Sequence, residues 1–486
     1  MKKIAVLLAI FIIVFVTSCP TQPPIKDWTI MVWLDADNNL DQNGLIDFNE
    51  MEYGLYRAQV GDPSVTNKLS VVVQFDRSGS NNTARYLIQP DARNANLDTT
   101  IVSTRLDFPP IPEANMGDAH QLKDFIDYCK SKFPAHNYML EFWNHGAGVR
   151  SIAPRTGNSN VKSVCIDETS NDWLYTGEIS DVLTSAESVN VIGYDACLMS
   201  MLEIGYQYRP GVTGKFSADY MVASPPQEWG DGWEYYKIFE RFKGSGTDAE
   251  GDLCYDVSSL TGEQLASLIV KEHKDALVGH YSSDPVTAQA LTAFDLSKTE
   301  NVKSALDALS TKLQNKKSEV ISNIQMNGST TRAMAYFNFY NADQWKDDPS
   351  FDLYDFAQRI SLDTTDFDLD TRTDASNLMT AIESCIVTSW GDTGAYTGFT
   401  PGKNGLAFFF PGDGQYLGVP YFYYEWWYTS FDTAAWWHAY NPSETDIYYG
   451  KLDFCTPGTV TGTVENWWEL LKAWYDPTNA HTPGSW

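Results

Sequence analysis

Apolar positions cluster in the first half of the chain into runs at residues 28–34, 69–75, 138–143, 189–194 and 219–223. Runs of this length, bounded by polar and turn-forming residues, predict buried strands. Between them the period changes. After Gly117, the residues Leu122, Phe125, Ile126, Cys129 and Phe133 fall on one helical face, with Asp118 placed as a cap or first-turn acid. Strand, helix and strand in this order predict an α/β fold with a mostly parallel central sheet covered on both faces. Beyond Phe242 a polar stretch at 243–252 precedes helical segments at 261–278 and 298–321, then an aromatic-rich region at 408–437. This second half reads as a mixed helical and β region without tandem repeats. Within it the cluster Tyr421 to Trp427 reads as core or interface packing ahead of a sugar or peptide platform.

The first residues carry a different signal. Lys2 and Lys3 precede an apolar stretch at 4–16, which is too short for a spanning helix, and Val16-Thr17-Ser18-Cys19 follows. That string resembles the lipobox of bacterial lipoproteins. The expected organisation is a signal peptide at 1–18, a tether at 19–27 carrying lipid on Cys19, a core at 28–242 and a C-terminal region at 243–486 packing on that core. The proline-rich tether forms neither helix nor central strand. A lipid-anchored protein of the cell envelope, exposed outside the cytoplasm, is the expected location.

The whole chain has a formal charge of −29; without Lys2 and Lys3, 32 basic residues face 63 acidic ones, giving −31. Nucleic acid is therefore not expected as a partner; the charge would favour cationic ligands or peptides, but it is first of all the acidic surface that secreted proteins commonly carry. With Cys19 lipidated and Cys197 free, five cysteines remain, an odd number that implies no complete disulfide framework.

Two strings carry the candidate chemistry, Asn144-His145-Gly146-Ala147-Gly148 and Asp195-Ala196-Cys197, each at the end of an apolar run. Strand ends are where open α/β sheets build sites, so His145 and Cys197 are a candidate base and nucleophile. Residues 198–208 read as a helix opened by Cys197, whose dipole would favour thiolate. Asp195, two positions before Cys197 on an extended strand, should point to the same side as the sulfur. Its charge there would oppose thiolate formation unless it binds a cation.

The flanking strings Trp28-Thr29-Ile30-Met31-Val32, Asp37-Asn38-Asn39-Leu40, Asn49-Glu50-Met51-Glu52, Val73-Gln74-Phe75-Asp76, Trp143-Asn144-His145-Gly146, Tyr194-Asp195-Ala196-Cys197-Leu198-Met199, Leu202-Glu203 and Gly230-Asp231-Gly232-Trp233 resemble the clostripain family of cysteine peptidases. The resemblance spans residues 28–240 and returns at Asp352-Leu353-Tyr354-Asp355-Phe356 and Gly405-Leu406-Ala407-Phe408. It implies a caspase-like α/β/α sandwich and a His145/Cys197 dyad that cleaves peptide bonds. It also implies an oxyanion hole from the N–H groups of Gly146 and Cys197, and Asp195 selecting Arg or Lys on the acyl side. Relatives can activate by cutting themselves, and Arg150, Arg155 and Lys162 offer matching sites. The chemistry requires no cofactor; calcium is implied as a structural or activating ion because some relatives depend on it. Asn144 departs from the acidic residue expected before the histidine.

Asn39, Asp41, Asn43, Gly44, Asp47 and Glu50 match the spacing of a calcium loop, but a strand precedes them where that motif needs a helix. They fit the family's strand-to-helix connection better, and the sequence locates no metal site. Two other readings are carried. One is a metal-dependent hydrolase using Asp35, Asp37, Asn144, His145 and Asp195, for which a single histidine is a poor supply of ligands. The other is a non-catalytic surface lipoprotein that binds peptides or glycans.

Overall fold

A computed structural model describes residues 23–93, 99–106, 111–149, 164–277, 288–321, 333–336, 350–410, 449–460 and 462–475. Cys19, Arg150, Arg155, Lys162 and the aromatic cluster at 421–427 lie outside the described residues.

Every strand expected from the apolar runs forms, and each belongs to one nine-stranded sheet. In chain order these strands are β1 (Lys26–Ala36), β2 (Leu69–Arg77), β3 (Ala84–Leu87), β4 (Thr104–Arg105), β5 (Ala135–Trp143), β6 (Val189–Asp195), β7 (Ala218–Ala223), β8 (Ala290–Asp295) and β9 (Ile386–Gly391). Their spatial order is β9-β8-β7-β6-β5-β1-β2-β3-β4. The five central strands, β7 to β2, run parallel, and the outer pairs on both sides run antiparallel. Helix α1 (Asp41–Gly61) returns the chain from β1 to β2, and α2 (Ala119–Lys132) leads into β5.

Alternate side chains of the central strands feed opposite layers. Met31, Trp33, Leu140, Phe142 and Ile192 pack with Leu122, Phe125 and Ile126 of α2. Ile30, Val32, Leu34, Val71 and Met139 pack instead with Phe48, Met51 and Leu55 of α1. Burial on both faces is why these strands read as continuous apolar runs. Asp118 caps α2, its Oδ1 accepting the His120 N–H at 2.8 Å.

The C-terminal half completes both layers. Its main helices are α3 (Gly262–Leu277), α4 (Thr299–Leu313), α5 (Leu353–Leu362), α6 (Leu369–Cys385) and α7 (Trp467–Tyr475). Helix α3 joins the α1 side, and α4 to α7 join the α2 side. Because β8 and β9 come from beyond residue 242, this region extends the core's own sheet as well as packing on it. The continuous helix expected at 298–321 is instead two, ending at Leu313 and resuming at Lys317–Val320. Among the described residues, no helix is long and apolar enough to cross a membrane.

Candidate active site

Adjacent parallel strands β5 and β6 bring Trp143 opposite Asp195, so the residues that follow each strand emerge side by side at the carboxyl edge. His145 and Cys197 line one cleft there, with Leu40, Trp143, Asn144, Asp195, Glu228 and Gly232 among its walls. The cleft is small, with a cavity volume of about 60 Å³. A side chain at Gly146 would meet the Cys197 carbonyl oxygen at 2.2 Å and its nitrogen at 3.0 Å, so the two backbones touch.

The path after Cys197 differs from the expected helix. Leu198 adopts a left-handed φ of +64°, and the helix begins only at Leu202. The Leu198 N–H donates to the Pro226 carbonyl at 2.9 Å and that of Ser200 to the Ser224 carbonyl at 3.1 Å, so backbone pairing to the segment after β7 replaces the first helical turn. Helix-dipole activation of the thiol is thereby removed. In its place, the Glu228 N–H donates to Cys197 Sγ at 3.2 Å. This N–H favours the charged form, whereas the Glu228 carbonyl, which accepts from Sγ at 3.6 Å, favours the thiol. Cys197 is also the single described cysteine that is not buried; Cys129, Cys165, Cys254, Cys385 and Cys455 are buried and free.

His145 is half-buried, and its Nε2 lies 2.9 Å from Asn39 Oδ1. An amide oxygen only accepts, so Nε2 carries the hydrogen and Nδ1 is left as the basic ring nitrogen. Asn144, the departure from the family pattern, is itself held: its Nδ2 donates to Asp35 Oδ2 at 2.6 Å, and its Oδ1 accepts from Asn38 and from the His145 N–H.

Asp195 is buried and faces the same cleft as Cys197, as its strand position requires. Its Oδ2 accepts from the Trp233 N–H at 3.0 Å and the Tyr235 hydroxyl at 2.7 Å. Gly232, at φ +59°, passes so close that a side chain there would meet Asp195 Oδ2 at 2.6 Å. Around Asp195 gather Asp47, Glu50, Glu141 and Glu228. Burial pushes Asp195 up to about 6 and Glu141 and Glu50 up to about 8. Glu228 is raised by burial and by Asp195 beside it. Its Oε1 accepts from Trp233 Nε1 at 3.0 Å, while Oε2 is buried without a partner among the described residues.

The set Asp35, Asp37, Asn144, His145 and Asp195 is not gathered into one metal centre. Asp35 turns to Asn144, whereas Asp195 turns to Tyr235, and the described group with ligand geometry contains only Asp37, Asp76 and Glu113. The calcium-loop spacing is likewise taken up by helix. Asp41 opens α1 and pairs with Arg77, Asp47 accepts from Trp143 Nε1 at 2.7 Å, and Gly44 abuts Leu34 and Ala36. Glu228 and Tyr235 were not expected at the site, and Asn39 was expected only as a calcium-loop position and part of a family string, not as the partner of His145. Asn39 and the Gly230-Asp231-Gly232-Trp233 string beside Glu228 lay inside the matched strings, which was the available signal.

A mostly parallel sheet between two helical layers, with histidine and cysteine on adjacent strand ends above a buried acidic pocket, is the arrangement of a cysteine endopeptidase of caspase-like fold. The model of the Clostripain family matches residues 32–467. Clostripain of Hathewaya histolytica is 38% identical over 509 aligned positions, which cover 96% of this chain and 91% of the relative. The chain belongs to the clostripain family. Two solved structures share the fold at 16% identity. A secreted C11 cysteine protease from Bacteroides thetaiotaomicron, in complex with an irreversible peptide inhibitor, aligns over 82% of this chain and 98% of its own with a TM-score of 0.54. An inactive zymogen C11 protease from Parabacteroides distasonis aligns over 80% and 94% with a TM-score of 0.52.

Proposed function

We propose that His145 and Cys197 form the catalytic dyad of a lipid-anchored endopeptidase that cleaves after Arg or Lys. The observation that carries this reading is the single cleft lined by Cys197, His145, Asp195 and Glu228. Cys197 passes its proton to Nδ1 of His145, and the thiolate attacks the carbonyl carbon of the scissile bond. Charge developing on the carbonyl oxygen is met by the N–H groups of Gly146 and Cys197, whose backbones adjoin. The imidazolium then protonates the leaving amine, a step of general acid catalysis that contributes about 10² to 10⁴ in rate. Water, deprotonated by the same imidazole, releases the acyl group and regenerates the thiol.

Asp195 and Glu228 supply the preference. Two buried carboxyls beside the nucleophile, raised by burial, are stabilised when a substrate cation enters between the cleft walls. The same cation relieves the negative field that opposes the thiolate. The experiment is a peptide library read by mass spectrometry, together with an arginyl electrophile that labels the nucleophile. Expected is a label on Cys197 and cleavage after Arg and Lys, with Asp195→Asn lowering kcat/KM for Arg peptides by about 10²-fold or more, since a charge-assisted partner is lost. Equal cleavage after Leu, or an unchanged preference in the variant, would overturn this reading.

Activation by self-cleavage at Arg150, Arg155 or Lys162 follows from the same preference, because this segment begins five positions beyond His145 and carries basic residues. Purified Cys197→Ala protein should remain uncut. Lipid on Cys19 is supported by the Val16-Thr17-Ser18-Cys19 string after an apolar stretch, and intact-mass measurement of membrane fractions tests it.

A further inference from the structure

Behind Asp195 the buried Tyr235 hydroxyl touches two carboxyl groups at once. It lies 2.7 Å from Asp195 Oδ2 and in hydrogen-bond contact with Glu141 Oε1. The sheet builds this arrangement. Glu141 of β5 stands opposite Gly193 of β6, two positions before Asp195, so Glu141 and Asp195 project from the same face of neighbouring strands. Gly193 keeps the space between them open to their partners, since a side chain there would meet Met139 at 2.9 Å and the Trp233 ring at 3.0 Å.

A phenol hydroxyl has one hydrogen to donate, while its oxygen can accept. Between two ionised carboxylates, one of the two contacts of Tyr235 would therefore set oxygen against oxygen with no hydrogen between them. Neither carboxyl has a Lys or Arg partner among the described residues to offset that repulsion. One carboxyl thus keeps a proton and donates it to the tyrosine oxygen, and the tyrosine donates to the other. The remaining donors decide the direction. Asp195 Oδ2 also accepts the Trp233 N–H at 3.0 Å, which favours its charged form, whereas Tyr235 is the sole hydrogen-bond partner of Glu141 among the described residues. Burial agrees, pushing Glu141 up to about 8 and Asp195 only to about 6. Tyr235 is itself pushed up by burial and by both carboxyls, so it stays a donor.

We propose that Glu141 is the positioning residue of the specificity acid: its proton turns the Tyr235 hydroxyl toward Asp195, which stays ionised and fixed in one orientation for the substrate cation. This inference rests on the role of Asp195 proposed above. The other titratable groups packed around the pair are Asp47 and Glu50 of α1, Glu228 and Glu234 of the segment after β7, and His273 of α3. Asp47 accepts from Trp143 Nε1 and Glu228 from Trp233 Nε1, and burial favours the protonated form of Asp47, Glu50 and Glu228. Glu234 acts on Glu50 in the same direction. His273, 3.9 Å from Glu228 and pushed down to about 3 by burial, adds no positive charge. Asp195, with two donors on one oxygen, is the member poised to carry the charge that a cation meets.

The test uses the whole purified protein and peptides with arginine, or its neutral counterpart citrulline, at the cleaved position. The ratio of their kcat/KM values cancels any change in the dyad common to both. In the wild type this ratio should rise with pH through the titration of Asp195. Glu141→Leu and Tyr235→Phe should lower it about tenfold at pH 7, the worth of one hydrogen bond to a charged group, and move its midpoint to higher pH. Glu141→Gln offers an amide N–H to the tyrosine oxygen and should hold the ratio within about twofold of the wild type, a rescue that a space-filling role does not predict. The infrared difference between wild type and Glu141→Gln should contain a protonated-carboxyl C=O band at pH 6.5 that fades toward pH 9. A difference spectrum without that band overturns the proposal, as does a wild-type ratio in Glu141→Leu or a Glu141→Gln ratio as low as that of Glu141→Leu. A wild type that shows the band but prefers arginine to citrulline at no pH overturns Asp195 as the specificity acid, and with it the link to substrate, while the proton on Glu141 stands.

Discussion

Gly146 is where the smallest change should have the largest chemical effect. Any side chain there meets the Cys197 carbonyl at 2.2 Å, and backbone cannot yield as a flexible side chain does. Gly146→Ala should push the 145–147 backbone away from Cys197 and misplace the N–H proposed to meet the oxyanion. Loss of one such donor typically lowers kcat about 10²- to 10³-fold. Steady-state kinetics should therefore show a kcat fall of that order with KM little changed, and circular dichroism should show a folded protein. Retention of wild-type kcat would remove Gly146 from the oxyanion role. His145 and Cys197 were legible as residues because their strings end apolar runs. Their partners were not. Asn39 reaches His145 across 106 positions of sequence and Glu228 reaches the sulfur across 31, and no local pattern encodes such contacts.

At the level of elements, the turn carrying Cys197 is clamped by the distant C-terminal region. Strand Ala407–Phe409 pairs with Ser350–Asp352, and the Ala407 N–H donates to the Ser200 carbonyl at 2.8 Å. Ser200 Oγ donates in turn to the Gly405 carbonyl at 2.7 Å, and Glu203 accepts the Phe409 N–H at 2.8 Å. Behind this strand stands Trp467 of α7, packed on Phe356, Phe408 and Phe410, its Nε1 donating to the Phe409 carbonyl at 2.9 Å. Trp467→Ala removes a fully buried ring and should cost about 3–5 kcal/mol. Urea unfolding should show the midpoint drop; a loss below about 1 kcal/mol would mean that the strand is held elsewhere. The family strings at 352–356 and 405–408 gain their meaning here. Asp352 caps α5 through the Asp355 N–H at 2.8 Å and also accepts from Asn404 Nδ2 and the Gly405 N–H, each at 2.8 Å. The parallel centre of the sheet was legible because each strand is a contiguous apolar run. The outer strands were less so: β4 spans only Thr104–Arg105, and β8 and β9 join through pairings that periodicity does not record.

Across the whole molecule, stability should depend on pH in an unusual direction. Burial pushes Glu50 and Glu141 up to about 8, Glu203 to about 7 and Asp195 to about 6. The native state therefore keeps protons that the unfolded chain releases near its ordinary carboxylate range, and stability falls as pH rises through about 6 to 8. Asp62, held at about 2 by its bond from Lys68, matters only in stronger acid. His273, pushed down to about 3 by burial, acts oppositely below its ordinary value, but it is outnumbered. Calorimetry in the absence of metal and inhibitor should find Tm lower at pH 8 than at pH 5.5, with a shallower fall in Glu141→Gln. A Tm that climbs over this interval would show these carboxyls to be ionised in the native state. The sequence alone determined the α/β class, the central strands, the placement of His145 and Cys197 at strand ends and the match to the family strings, because periodicity and short motifs are written in contiguous residues. Only the tertiary structure decided that Leu198 turns left-handed instead of starting a helix, that Glu228 joins Asp195 and that three acids from separate segments converge at Asp76. Those outcomes depend on which loops meet when the sheet closes, and they arise from packing between residues far apart in the chain.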